Sequence, residues 1–209
     1  MKSSFITTIA AIFIALLSFE ALTVSARTKC SGSCKNAKIK ANGTQIKTGE
    51  DKSGFCSNLI QGQIPSNLKM VSSLIIHPTD GEEIQENKRF VVNVKVKHLN
   101  TGFFSDPNTE YYTIPQKLGK NGFINGHSHV TIQKLDGDEP PDPTKFAFFK
   151  GLNNKAKNNL LSVTVDGGLP CGSYRLCTMS SSFTHQPVIM PVAQRGSQDD
   201  CIRFKVVKK

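Results

Sequence analysis

No tryptophan occurs in the 209 residues, and no block of arginines interrupts them. The first absence removes the strongest base-stacking side chain. The second removes the usual phosphate-gripping stripe, so the excess of positive charge does not read as a nucleic-acid interface. Serine-hydrolase, zincin and phosphate-loop signatures are also missing: there is no Gly-x-Ser-x-Gly, no His-Glu-x-x-His and no Walker-type glycine loop. Beyond the first 26 residues no apolar run approaches the ~20 residues that a membrane-crossing helix needs. No hydrophobic C-terminal tail or KDEL-type ending is present. No segment carries an apolar stripe at the helical period of about 3.6 residues, which argues against a helical bundle.

What is present begins with a leader. Lys2 is followed by an apolar run from Phe5 to Leu17, and Val24-Ser25-Ala26 offers small residues where a signal peptidase cuts. Residues 1–26 therefore read as a secretory signal, which makes the expected destination extracellular. The leader holds one Lys and one Glu, so the remaining chain keeps the net charge of +10. All six cysteines lie after it. In a secreted chain an even count favours disulfides over metal thiolates, and Cys30-x3-Cys34 has no second Cys/His pair at finger spacing. Asn42-Gly43-Thr44 is a glycosylation sequon. Residues 27–69 form a basic arm containing Cys30, Cys34 and Cys56, too poor in large apolar side chains to bury much surface. A positive surface favours acidic partners, either another protein or an anionic polysaccharide.

Residues 70–209 read as a β domain. Leu74-Ile75-Ile76-His77 is a short strand ended by Pro78. Phe90, Val92, Val94 and Val96 alternate with polar residues, as do Val130 and Ile132 between His127 and Leu135. Leu161 to Val165, Ser173 to Cys177 and Cys201 to Val206 alternate likewise, while Phe146-Ala147-Phe148-Phe149 is a short apolar run. Many short strands separated by Gly/Pro turns predict an all-β fold, specifically an immunoglobulin-like antiparallel β-sandwich stapled by disulfides, with the irregular arm before it. The turn from Leu169-Pro170 into Tyr174 resembles one common in immunoglobulin-like domains. Strand phase predicts one bridge. If Tyr174 and Leu176 point inward, Cys177 points outward; if Ile202 and Phe204 point inward, so does Cys201. Cys177 and Cys201 are therefore expected to pair, leaving Cys171 for the arm. Exposed sheet edges also offer self-association.

Three places carry candidate chemistry. His127 and His129 sit two apart on a strand, so both imidazoles share one face, expected to be polar and exposed beside Thr131 and Gln133. With His185 from the excursion after Cys177 they would make a copper or zinc site. The plainer account is two hydrogen-bonding surface histidines. The acidic run Asp136 to Asp142 could hold calcium, but it lacks the full spacing of a calcium loop and reads as a solvated, proline-stiffened loop. The third place, Asn100-Thr101-Gly102-Phe103, leaves the strand at Lys97 and could plug another protein's cleft. It resembles the Asn-Pro-Thr-Thr-Gly loop of chagasin-type cysteine-protease inhibitors, without the Pro.

The run from Gly126 to Gln133, the stretch Asp142 to Asn153, the turn Leu169 to Cys177 and the segment His185 to Cys201 together resemble a family of secreted proteins from basidiomycete fungi. His127, His129, His185, Cys177 and Cys201 fall on matching positions, and Cys171 departs from the pattern. More loosely, the chain resembles the rust transferred proteins, delivered from haustoria into plant cells. The resemblance implies secretion and no established activity. The leading expectation is a secreted, non-catalytic fungal interaction protein, a host-directed effector acting through surface loops in the manner of a protease inhibitor. The alternatives are an extracellular copper- or zinc-binding protein on the histidine face, and a secreted metal-dependent enzyme at the same place.

Overall fold

The computed structural model describes residues 61–208. The leader, the sequon at Asn42 and the arm cysteines Cys30, Cys34 and Cys56 lie outside the described residues. Nine strands are described: β1 (Ser72–His77), β2 (Glu83–Gln85), β3 (Phe90–Lys97), β4 (Leu99–Asn100), β5 (Ile124–Lys134), β6 (Phe148–Leu152), β7 (Leu160–Val165), β8 (Gly172–Ser182) and β9 (Cys201–Val207). The helical content is a 3-10 turn at Asn67–Lys69 and one turn of helix, α1 (Pro107–Glu110), capped by the Asp106 side chain.

Two sheets share one core. The smaller is β1-β3-β7; the larger runs β2-β9-β8-β5-β4, with β6 also on β5. Alternation sets their inner faces. Phe90, Val92, Val94 and Val96 of β3 are buried while Val91, Lys95 and Lys97 face solvent. Opposite them lie Val130 and Ile132 of β5, Tyr174 and Leu176 of β8, and Ile202, Phe204 and Val206 of β9. Phe204 meets Phe90 edge-on and stacks with Tyr174, at centroid distances of 6.1 and 5.6 Å. The Tyr174 hydroxyl donates to the Pro170 carbonyl at 2.7 Å, closing the Leu-Pro-x-Gly-x-Tyr turn into a corner of the type that immunoglobulin sandwiches use. Replacing Tyr174 by Phe should cost about 1 kcal/mol, read as a lower urea midpoint at unchanged m-value.

The expected all-antiparallel pairing needs correction. β2 pairs with β9 in parallel, and β4 pairs with β5 in parallel. Both are two- or three-residue edge strands, too short to show a period in sequence; docking of their backbone onto a formed sheet defines them. The run at Phe146 is the entry to β6, which pairs antiparallel to β5 from Ser128–Leu152 to Ile132–Phe148. Cys177 and Cys201 stand opposite each other on β8 and β9 and form a disulfide, as their shared phase predicts. Cys171 makes no disulfide among the described residues; its backbone N–H donates to Glu86. No helix among the described residues is long and apolar enough to cross a membrane.

Candidate metal centre

β5 presents His127 and His129 on the face of the larger sheet that points away from the core, as their spacing requires. That face is not open. His127 has no exposed surface and His129 only 6 %, so the expected exposed pair is corrected to a buried one. Two long-range segments cover them. The Phe103 N–H donates to the Gly126 carbonyl, the Ser105 N–H to the Phe183 carbonyl and the Thr184 hydroxyl to the Ile114 carbonyl; the Gln186 amide donates to the Tyr111 carbonyl. Gly126 is required beneath this cover, because a Cβ there would lie 1.9 Å from the Ser181 carbonyl oxygen.

The second covering segment brings in His185. After β8 the chain reverses tightly, with the His185 N–H donating to the Ser182 carbonyl and the Ser182 N–H to the Gln186 carbonyl. His185 adopts φ +66°, a left-handed conformation that a non-glycine residue holds only when its surroundings enforce it. The turn swings its imidazole back over β5. His127 Nε2 then lies 2.9 Å from His185 Nδ1 and 3.2 Å from His129 Nε2, and His129 Nε2 lies 3.2 Å from His185 Nδ1. One ligand atom from each of the three histidines lies within 4.8 Å of the others.

The outer nitrogens settle where the protons are. His127 Nδ1 is 3.0 Å from the Phe103 carbonyl and His185 Nε2 is 2.8 Å from the Ser105 carbonyl. Carbonyls only accept, so both outer nitrogens carry protons and both inner ones are lone pairs when the rings are neutral. His129 Nδ1 faces the Ser181 hydroxyl at 3.3 Å, and that hydroxyl donates to the Met179 carbonyl, which leaves its oxygen to accept from Nδ1–H. In that tautomer a third lone pair joins the two from His127 and His185. Burial pushes His127 down to about 3, with the neighbouring imidazoles adding charge repulsion and the Phe103 carbonyl opposing. Burial likewise pushes His129 down to about 4, with repulsion from His185 adding to it. Both rings are thus neutral at physiological pH, the state that ligates metal.

The expected interaction loop is tied into this cover. Asn100 belongs to β4 and its amide donates to Asn121, Phe123 and Asn125. Thr101 is buried and its hydroxyl accepts from the Ala156 N–H. Gly102 takes φ +92°, and the Phe103 ring reaches solvent at 45 % exposure. Asn100 and Thr101 spend their polar atoms on neighbouring backbone and side chains, which leaves Phe103 as the part of this segment that reaches outward. The acidic run after β5 stays exposed at Asp136, Gly137, Asp138 and Glu139. Sequence reasoning missed the carbonyls of Phe103 and Ser105, which set the tautomers. Backbone groups leave no signal in a side-chain motif.

Residues 73–207 match the family described as the CLU5d N-terminal domain. Over 171 residues the chain is 48 % identical to "Pathogenicity cluster 5 protein d" of Colletotrichum graminicola (strain M1.001 / M2 / FGSC 10212). The alignment covers 78 % of this chain and 36 % of that relative, so the chain spans about a third of the relative's length. The relative supports the fungal attribution; it comes from an ascomycete and does not carry the basidiomycete or rust attribution.

Proposed function

The chain belongs to the CLU5d N-terminal domain family, and on that premise we propose that it is a secreted, virulence-associated fungal protein that works through a copper or zinc ion held by His127, His129 and His185. One observation carries the reading. His127 Nε2 and His185 Nδ1 stand 2.9 Å apart as lone pair against lone pair, each with its other nitrogen donating to a backbone carbonyl. Such a contact is repulsive until a cation sits against it. Three imidazoles with hydrogen-bonded outer nitrogens are a donor set suited to copper or zinc. The leader and the relative's name support action outside the cell in pathogenicity.

Calorimetric titration of the disulfide-intact protein with zinc and with copper tests this, beside a His127→Ala/His129→Ala variant. One equivalent should bind tightly to the parent and none to the variant. At pH 6, His127 and His129 have no proton to release, so binding should liberate less than about one proton per ion across buffers of different ionisation enthalpy. Absence of binding in both proteins would overturn the reading.

A second reading, docking of another protein or an anionic polysaccharide in a host-directed role, is favoured by the exposed rings of Phe103 and Phe146 and the charge of +10. Self-association through the β1 edge, where Leu74 and Ile76 are exposed, belongs with it.

A further inference from the structure

The histidine triangle opens on one side into a pocket of about 420 Å3. That volume falls in the range of small-molecule sites. An ion held by His127, His129 and His185 would have three protein ligands and could take further ones from a bound molecule. His129 and His185 line the pocket floor, whereas His127 is sealed behind them.

The walls are specific. Phe149 stacks on His129 at 5.3 Å, and Phe104 meets His127 edge-on at 6.1 Å; both phenyl rings are more than 40 % exposed. Gly151 stands directly across from His129 on β6, where any side chain would share the face of that imidazole. Its lack of one makes room for the Asn153 amide, whose Oδ1 would lie 2.7 Å from a Cβ there, so a larger side chain would drive that amide into the pocket. Two polar atoms in the pocket wall are buried with no partner in the protein, Ser105 Oγ and Asn153 Oδ1. Ser105 as a whole is only 7 % exposed. A buried orphan acceptor is costly, and Asn153 Oδ1, closed off from solvent in the free protein, gains a donor when its amide turns toward a ligand in the pocket.

We propose that this pocket binds an ortho-diphenol, a catechol-class ligand, with one oxygen on the metal and the ring between Phe104 and Phe149. The adjacent hydroxyl donates to Asn153 Oδ1. Each feature meets a separate part of the ligand: apolar walls take the flat ring, the cation takes the anionic oxygen, and the orphan carbonyl takes the remaining proton. The positive charge of the whole chain favours an anionic phenolate. The proposal concerns binding alone and rests on the metal reading above.

The test uses the zinc-loaded protein and 4-nitrocatechol, whose visible band shifts on coordination. One equivalent should bind, stay with the protein through gel filtration and keep the zinc in place. Asn153→Ala should weaken binding about tenfold, the loss of one buried hydrogen bond. Gly151→Leu should block it. Both variants should hold zinc as the parent does, shown by calorimetry. If zinc binds and the band does not shift, the pocket proposal fails while the metal reading stands. If the probe binds the Gly151→Leu variant equally, it sits elsewhere and the proposal fails. If only copper binds, the same titration is read on the copper-loaded protein; if neither metal binds, both readings fail.

Discussion

Acidification from pH 6.5 to 4.5 should strip up to about 4 kcal/mol of folding stability from the metal-free protein. The cause is the pair of buried imidazoles. Burial holds His127 at about 3 and His129 at about 4 in the folded chain, against about 6.5 when unfolded. In this window the unfolded chain binds protons that the folded chain refuses, so stability rises with pH. The contribution is fully present above the unfolded value and is lost as pH falls towards the folded ones. Most of the window belongs to the histidines. The carboxylates with lowered values, Glu82, Glu86 and Asp142, are held by hydrogen bonds from Thr79, Cys171 and Thr144, and their stabilisation begins to fade only at the acidic end of the window, near their unfolded values of 4.5 and 3.8. Urea unfolding at pH 7.0, 5.5 and 4.5 measures the slope, and the His127→Ala/His129→Ala variant should flatten it. A parent protein with no slope between 6.5 and 4.5 would mean that the covering segments admit water to the triangle.

Removing the disulfide should have the next largest effect. Cys177 and Cys201 are separated by 24 in sequence, and closing a loop of that size restricts the unfolded chain by about 3 kcal/mol. A Cys177→Ala/Cys201→Ala variant should therefore unfold at lower urea. The loop it closes carries His185, which gives the variant a second readout. His185 has its own restraints: its N–H on the Ser182 carbonyl, its Nε2–H on the Ser105 carbonyl and its ring parallel to Tyr111 at 6.3 Å. Zinc affinity should accordingly fall less than about tenfold in the variant while stability falls by the full loop term. A collapse of affinity would show that the bridge positions His185 and that the local bonds do not.

The two effects separate what local pattern carries from what long-range contact carries. Strands β3, β5, β7, β8 and β9 announce themselves by period-two alternation, because one face must be buried and the other hydrated. The same phase argument pairs Cys177 with Cys201. Where alternation is too short to register, at β2 and β4, the parallel pairings come only from docking onto a finished sheet. The histidine face shows the same division. Spacing puts His127 and His129 on one side of β5, and polar neighbours made that side look solvated. Gln133 is polar for another reason: its amide donates to the Asp142 and Lys145 carbonyls and accepts from Arg175, while residues 103–116 and 183–189 close over the histidines.

By itself the sequence determined the β architecture, which side chains of the long strands face the core, the one described disulfide and the sharing of a face by two histidines. These follow from chirality and a two-residue side-chain period, which are local. The tertiary structure decided that the histidine face is dry, that His185 completes a triangle with edges of 2.9–3.2 Å, and that the carbonyls of Phe103 and Ser105 turn two lone pairs inward. Those facts depend on where distant backbone atoms come to rest, and no side-chain pattern along the chain encodes a carbonyl's position in space.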